Sequence, residues 1–314
     1  MIDRRIKFRH IECFAAIHRQ GSLKRACAVL NLTQPALSKT LKELEEILGV
    51  TLMSRDRGGV RLTPEGRVFL EFAEMSLAAL RRGVDGVTSL RESGGAVLRV
   101  GALPSVAARL LPQAVARFRA QAPDVVLDLQ DGAHGHLTEQ LRSGSVDLVI
   151  GRLGAPETMT GLSFTQLYLE RVVFVVRPGH PLLERGALDL TAIADWPVIH
   201  PPADAAIRPL VDRTLIAQGV PPLRDRIETV SGAFGRNYVR QSDAIWIISE
   251  GVVAQDMTDG RLSALPLDTG LTAGPVGLMI RPDDPPSPAR QIFVTALEQA
   301  AATIRTDAGG TVGR

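Results

Sequence analysis

The chain has 314 residues, enough for two or three domains, and its 45% hydrophobic content supports packed cores. Its formal charge of +2 is unevenly placed: residues 1–67 hold 13 Lys+Arg against 7 Asp+Glu, and the rest carries a net −4. A basic amino-terminal piece on a mildly acidic body suggests that one end meets a polyanion, although such imbalance also occurs without a partner. Cys13 and Cys27 have no metal-ligand spacing and read as small buried hydrophobes of a reduced protein. The basic opening leads into no long apolar run, and no stretch nears the roughly 18 apolar residues of a membrane span. A signal peptide and a membrane span are therefore not expected, and the expected location is the cytoplasm.

Phe8, Ile11, Phe14 and Ile17 mark a first helix, closed by Gly21. Ser22 is placed to cap a second, short helix with Leu23, Ala26, Cys27 and Leu30 inward. The turn Asn31-Leu32 leads into a third helix, with Thr33 as N-cap, Pro35 in the first turn and Gly49 at the end. Leu37, Leu41, Leu44 and Leu48 form its packing stripe. Gln34, Ser38 and Lys42 recur every fourth residue on another face, with Lys39 beside them. Amide, hydroxyl and ammonium groups are the donors and acceptors that read base edges and hold phosphates. Ala26 and Ala36 are small enough to let the two helices cross closely, as in a helix-turn-helix. The bland alternative is an amphipathic surface helix.

Between Val50 and Thr63 two short apolar runs flank Gly58-Gly59, a hairpin signal carrying Arg55, Arg57 and Arg61. Beside a recognition helix this is a wing for phosphates or the minor groove; alone it is a solvated charged hairpin.

The order of helix, helix-turn-helix and wing, with Thr33-Gln34-Pro35-Ala36-Leu37-Ser38 and Leu41-x-x-Leu44-Glu45, resembles the LysR-type transcriptional regulators. Leu62-Thr63-Pro64-Glu65-Gly66 and Gly179-His180-Pro181-Leu182 add to the resemblance, which covers nearly the whole chain. Met53 stands where the family usually has an aromatic and Cys27 where it often has alanine, changes expected to alter packing rather than function. The resemblance implies promoter DNA as partner. Gln34, Pro35, Ser38 and Lys39 would meet bases and adjacent backbone, while Thr33, Lys42, Arg55, Arg57 and Arg61 would position phosphates.

Thr63 and Pro64 start a long helix reaching about Arg91, with Phe69, Phe72, Leu80, Val84 and Val87 forming most of a seam. At 1.5 Å per residue it spans roughly 40 Å, too long for a small winged domain to bury. A second copy is the simplest partner, and a helix lying on its own chain is the alternative. The resemblance implies a linker helix pairing protomers as a dimer or a dimer of dimers, with RNA polymerase as a further candidate partner.

Beyond Glu92-Ser93-Gly94-Gly95, a hinge signal, apolar runs at 97–100, 125–127, 146–150 and 172–176 alternate with helical segments at 112–121 and 136–143. Later strand candidates lie at 196–199, 226–230, 244–248 and 276–280, before a final helix at 289–304 and a frayed tail at 307–314. The pattern predicts an α/β body with largely parallel strands. The whole is an α/β fold: a winged helix-turn-helix at 1–63, a linker helix at 64–91 and an effector domain at 92–314. The resemblance implies that the last has two lobes of periplasmic-binding-protein type, about 96–166 with 268–304, and about 167–267, with a ligand in the cleft.

Gly101–Ser105 and Gly132–His136 each follow a strand and open a helix, and Gly151-Arg152-Leu153 follows a third strand. Strand ends beside helix N-termini bind anions, because free N–H groups and the helix dipole point outward. In related regulators of aromatic pathways, positions matching Ser105 and His134 touch an acidic effector and the one matching Arg152 lies close by. Those relatives commonly carry a hydroxyl in place of His134, which implies a different or more highly charged ligand. Pro201, Pro202, Ser231 and Phe234 lie at the expected rim of the second lobe. Against this, the alternative readings are Ser105 as a helix cap only, His134 as a loop residue and Arg152 as a surface ion-pair partner.

The runs Met1–His10 and Leu41–Val50 are similar to the family's regulators of protocatechuate breakdown. That implies a carboxylated ring-cleavage product as effector and activation of catabolic promoters. Regulators of galactose-binding-protein genes share similar openings, so a sugar-linked signal stays open. A metal site at His134-x-His136 with Glu139 and Asp131, a free-standing solute-binding protein and an architectural DNA-binding protein are the rival readings. No G-x-S-x-G elbow, P-loop or dinucleotide fingerprint is present, so no enzyme activity and no cofactor beyond an organic-acid effector are expected.

Overall fold

The computed structural model describes residues 3–56, 59–91, 96–186, 188–282, 284 and 287–310, with side chains excepted at 55, 56, 82, 85, 86, 88–91 and 306–310. The chain divides near residue 93 into two compact units. The hinge signal at 92–95, the turn residues Arg57 and Gly58, and residues 311–314 lie outside the described residues.

In the first unit, helices α1 (Phe8–Gln20), α2 (Leu23–Leu30) and α3 (Gln34–Leu48) follow the local signals. α1 ends at Gly21 (φ 59°), α2 at Asn31 (φ 53°) and α3 at Gly49 (φ 69°), each in the left-handed conformation that a C-cap favours. The Thr33 hydroxyl accepts from the Ala36 N–H at 3.4 Å, so α3 has its side-chain cap. Ser22 occupies the cap position of α2 without making that bond. Phe14, Ile17, Leu23, Ala26, Leu37, Leu41 and Leu44 form the core, each fully buried large side chain contributing about 1.5–3 kcal/mol. Phe8, which opens α1, is 48% exposed, and His10 is buried. One expectation fails here. Ala36 is exposed, so close approach of the helices rests on Ala26.

Strands β1 (Met53–Asp56) and β2 (Gly59–Leu62) pair antiparallel, Ser54 opposite Arg61 and Arg55 opposite Val60. Glu45 of α3 accepts from the backbone N–H of Leu52 at 2.7 Å and of Met53 at 3.2 Å, which fixes the hairpin to that helix. Helix α4 (Pro64–Arg91) runs 28 residues. Its Phe69 does not belong to the exposed seam: it meets Phe14 edge-on at 5.4 Å, on the face that Leu70, Ala73 and Leu77 bury in the core. Phe72, Leu80, Val84 and Val87 stay exposed, joined by Val68 and Met75.

The second unit begins with β3 (Val97–Ala102), α5 (Pro104–Arg109), α6 (Leu111–Gln121), β4 (Val126–Asp131), α7 (His134–Arg142), β5 (Leu148–Arg152) and β6 (Ser163–Glu170). It continues through β7 (Val172–Val176), β8 (Val198–His200), α8 (Arg208–Ala217), β9 (Arg226–Glu228), α9 (Gly232–Arg240) and β10 (Ile245–Ser249). It ends with α10 (Glu250–Thr258), β11 (Ser263–Ala264), β12 (Gly274–Ile280) and α11 (Pro288–Gly310). Two five-stranded sheets result, ordered β4-β3-β5-β12-β6 and β11-β7-β10-β8-β9. Each has its own core, one around Phe118 and Phe293, whose rings meet at 5.3 Å, the other around Trp246 and Phe174. These are the two lobes.

The strands are not largely parallel. Among the described residues four pairings in the two sheets are parallel and four antiparallel. The reason is topological: β12 returns from the second sheet and inserts antiparallel between β5 and β6, and in the second sheet β7 runs antiparallel to both β10 and β11. The chain crosses to the second sheet at Arg171, after β6, and not near residue 166. Residues 307–310, expected to fray, continue α11.

Candidate nucleic-acid interface and ligand cavity

Because Leu37, Leu41 and Leu44 face the core, α3 turns Gln34, Pro35, Lys39 and Lys42 outward, with Ser38 half-buried at the edge of that face. Thr33 is exposed at its cap. Lys39 Nζ lies 4.0 Å from Glu43 and Lys42 Nζ 3.5 Å from Glu46, exposed pairs one helical turn apart. Such pairs are worth a few tenths of a kcal/mol, so both ammonium groups are readily redirected to a phosphate. Glu43 also meets Arg9 at 3.2 Å and His10 Nε2 at 3.4 Å. Partial burial pushes its carboxyl up, but the His10 hydrogen bond and the Arg9 and Lys39 charges prevail and hold it below the usual range. Arg61 is exposed on β2; Arg57 and the side chain of Arg55 lie outside the described residues. The tie of α3 to His10 and the anchoring role of Glu45 escaped the sequence reading, because both join residues whose pairing is tertiary.

In the second unit, a cavity of about 150 Å³ lies where strands of the two sheets end. Ser105, His134 and Arg152, after β3, β4 and at the end of β5, line one side. Pro202, Asp204, Val230 and Ser249, after β8 and β9 and at the end of β10, line the other. Leu103, Ile207, Ile248 and Val252 make much of the wall apolar. Helices α5, α7 and α10 all begin at this wall, but α5 is a six-residue helix opening on Pro104, and the first N–H groups of α10 already bond the Arg171 carbonyl and the Glu170 carboxylate.

Three of the expected effector residues on the first lobe and Pro202 on the second therefore share one cavity. Pro201, Ser231 and Phe234 are not in its wall. The Pro201 carbonyl accepts from Arg208 at 2.9 Å. The Ser231 hydroxyl caps α9 by accepting from the Phe234 N–H at 3.3 Å, and the Phe234 ring stacks on Tyr238 at 5.3 Å. The neighbours Pro202 and Val230 take their places. Asp204 and Ser249 were missed; an apolar strand closed by a hydroxyl before a helix, as in Ile245–Glu250, was the available signal for Ser249.

Arg152 is only 3% exposed, and its Nη atoms donate to the carbonyls of Thr272 at 3.1 Å and Glu170 at 2.9 Å. Its Nε has no hydrogen-bond partner among the described residues. Burial works to lower its pKa, against the Glu170 charge. Burial likewise pushes the Glu170 carboxyl above its usual range, against the pull of Arg152 and of the Ser105 hydroxyl. His134 is buried with its ring against Gly154: a Cβ there would meet His134 Cε1 at 2.4 Å. His136 is exposed, and among the described residues no three His, Cys, Asp or Glu side chains gather as a metal requires. Among them, too, no helix is long and apolar enough to cross a membrane.

Comparison with known proteins places this architecture. Residues 8–67 match the bacterial regulatory helix-turn-helix protein, lysR family, and residues 91–302 match the LysR substrate binding domain. The chain is 48% identical over 301 residues to the HTH-type transcriptional regulator PcaQ of Agrobacterium fabrum, covering 96% of this chain and 97% of that one. It is 35% identical over 300 residues to the HTH-type transcriptional regulator YdcI of Escherichia coli, covering 96% and 97%. The fold is similar to full-length CbnR complexed with target DNA, with a TM-score of 0.61 at 19% identity over 94% of this chain and 100% of that one. The chain belongs to the LysR family of bacterial helix-turn-helix transcriptional regulators.

Proposed function

We propose that this regulator binds promoter DNA as an oligomer and changes those contacts when a small organic acid enters the cavity. The observation that carries the reading is the convergence of Ser105, His134 and Arg152 on one cavity with largely apolar walls. On α3, Gln34, Pro35, Ser38 and Lys39 read bases and adjacent backbone. Thr33, Lys42, Arg55, Arg57 and Arg61 position phosphates. The exposed apolar face of α4, from Val68 to Val87, supports pairing with a second copy. The similarity to PcaQ supports an acid from aromatic catabolism, with protocatechuate and its ring-cleavage products as first candidates, and activation of catabolic promoters through RNA polymerase.

Thermal unfolding of the full chain with aromatic acids, ring-cleavage acids and sugars tests the reading. A ligand at 100 times its Kd stabilises by about 2.7 kcal/mol. A shift with acids that is lost in His134→Gln supports it. A shift with sugars alone replaces the acid by a sugar, and no shift with any ligand removes the sensor role.

A further inference from the structure

Pro35, Lys39 and Glu43 form a row down α3 at intervals of one turn, beside the row Gln34, Ser38 and Lys42. The first row ends in a carboxylate, the wrong charge for a surface that meets phosphates. That carboxylate is not loose. Glu43 Oε2 lies 3.2 Å from Arg9 Nη2 and 3.4 Å from His10 Nε2, and Oε1 lies 4.0 Å from Lys39 Nζ. His10 is 2% exposed, and its Nδ1 accepts from the Lys7 N–H at 3.2 Å. A neutral ring that accepts at Nδ1 carries its proton on Nε2, so a buried N–H faces Glu43 and holds it in place.

Arg9 stands in the first turn of α1, and its side chain is 57% exposed. Arg9 and Lys39 meet the two oxygens of one carboxylate, so their charged heads are no farther apart than the Debye length of about 10 Å at 0.1 M salt. They therefore act on the same stretch of a polyanion. The N-terminal residues of a reading helix meet base edges, and what flanks them meets the backbone. Arg9 joins α3 at Glu43, one turn beyond Lys39, which is that flank. Ion pairs this exposed are weak, whereas a phosphate offers a guanidinium a bidentate partner.

We propose that Arg9 is a DNA-phosphate contact on α1, held in reserve by Glu43, which a backbone phosphate displaces. This extends the reading of α3 above and rests on it. Glu43 repels the same phosphate and so holds down affinity for DNA of every sequence, while Gln34 supplies the preference among sequences.

Salt-dependent binding of the full chain to a selected promoter fragment and to a scrambled control tests it, with Arg9→Ala and Arg9→Lys made in the wild type and in Glu43→Gln. Glu43→Gln should tighten binding to both DNAs about two- to fivefold and leave their ratio unchanged. Arg9→Ala should weaken both and lower the slope of log affinity against log salt by about one for each bound protomer. That loss should persist in Glu43→Gln, where no ion pair is left to break. Recovery of the slope in Arg9→Lys separates a charge contact from damage to the fold. If Arg9→Ala leaves the slope unchanged in Glu43→Gln, or Glu43→Gln does not tighten binding, Arg9 is only a structural partner of Glu43. The inference is then overturned and α3 keeps its role. If the wild type binds neither DNA in a salt-dependent way, the reading of α3 itself falls, and this inference with it.

Discussion

Arg152 Nη2 lies 3.9 Å from Glu170 Oε2 and donates to the Glu170 backbone carbonyl at 2.9 Å, inside a wall where both side chains are almost wholly buried. Glu170 ends β6, the last residue before the chain crosses to the second sheet, and Thr272 lies on the return path. Arg152 thus ties β5 to both connections between the lobes while lining the cavity. Removing one partner of a buried pair leaves an uncompensated charge, at a cost of about 3–5 kcal/mol. Arg152→Ala should lower the urea midpoint of the second unit accordingly. Arg152→Lys should fall between the two, since a point charge cannot span both carbonyls. An unchanged midpoint in Arg152→Ala would show that the pair contributes nothing.

Gly154→Ala addresses the cavity without touching that pair. The added Cβ would sit 2.4 Å from His134 Cε1 and 2.4 Å from Thr158 Oγ1, so the imidazole must move. Effector affinity should drop about tenfold or more, as expected when a positioned donor is displaced by an ångström. Equal binding by variant and wild type, in the calorimeter, would mean that His134 does not contact the ligand.

His200, at the end of β8, predicts a pH dependence. Burial lowers its pKa, the Arg208 charge adds to this, and the contacts with Pro201, Asp212 and Glu228 oppose it. With a folded value below the ordinary 6.5, the unfolded chain binds more protons in the interval between the two. The stability from neutral His200 is therefore complete above about pH 6.5 and is lost as pH falls toward the folded value. Urea midpoints measured between pH 7.5 and about 5 should fall over that window, and His200→Gln should flatten the slope. A midpoint that rises on acidification would contradict the assignment.

What was legible in the sequence was local. Gly21, Asn31 and Gly49 punctuate α1 to α3 within a few residues, and the Leu37, Leu41, Leu44 spacing states which face is buried. The direction of β12 is not written in Val276–Ile280; it follows from the chain's return between β5 and β6. β6 escaped notice because, at the edge of its sheet, it exposes Thr165 and Gln166 and so lacks an apolar run. In the cavity, Ser105, His134 and Arg152 announce themselves by following or ending strands. Asp204 and Ser249 are brought across from the other sheet, and no spacing in the chain encodes that meeting.

The linker helix offers a test of assembly. Leu80, Val84 and Val87 are each more than half exposed along α4. Burying a Leu or Val side chain contributes about 1.5–3 kcal/mol, and twofold symmetry counts each residue twice. Leu80→Asp with Val84→Asp should weaken self-association by at least about a hundredfold in sedimentation equilibrium. Undiminished association would place the oligomer contacts elsewhere.

The most direct measurement of the central claim is DNA binding across a salt series, using a promoter fragment that the wild-type chain selects from random sequence and a scrambled control. Gln34→Ala should lose most of the preference for the selected fragment, about 1–3 kcal/mol, while still binding both DNAs. Arg61→Ala should weaken binding to both about equally and reduce the salt slope by about one phosphate contact. If Gln34→Ala kept the full preference, or the wild-type chain showed no salt-dependent DNA binding, the face of α3 would not be the reading surface.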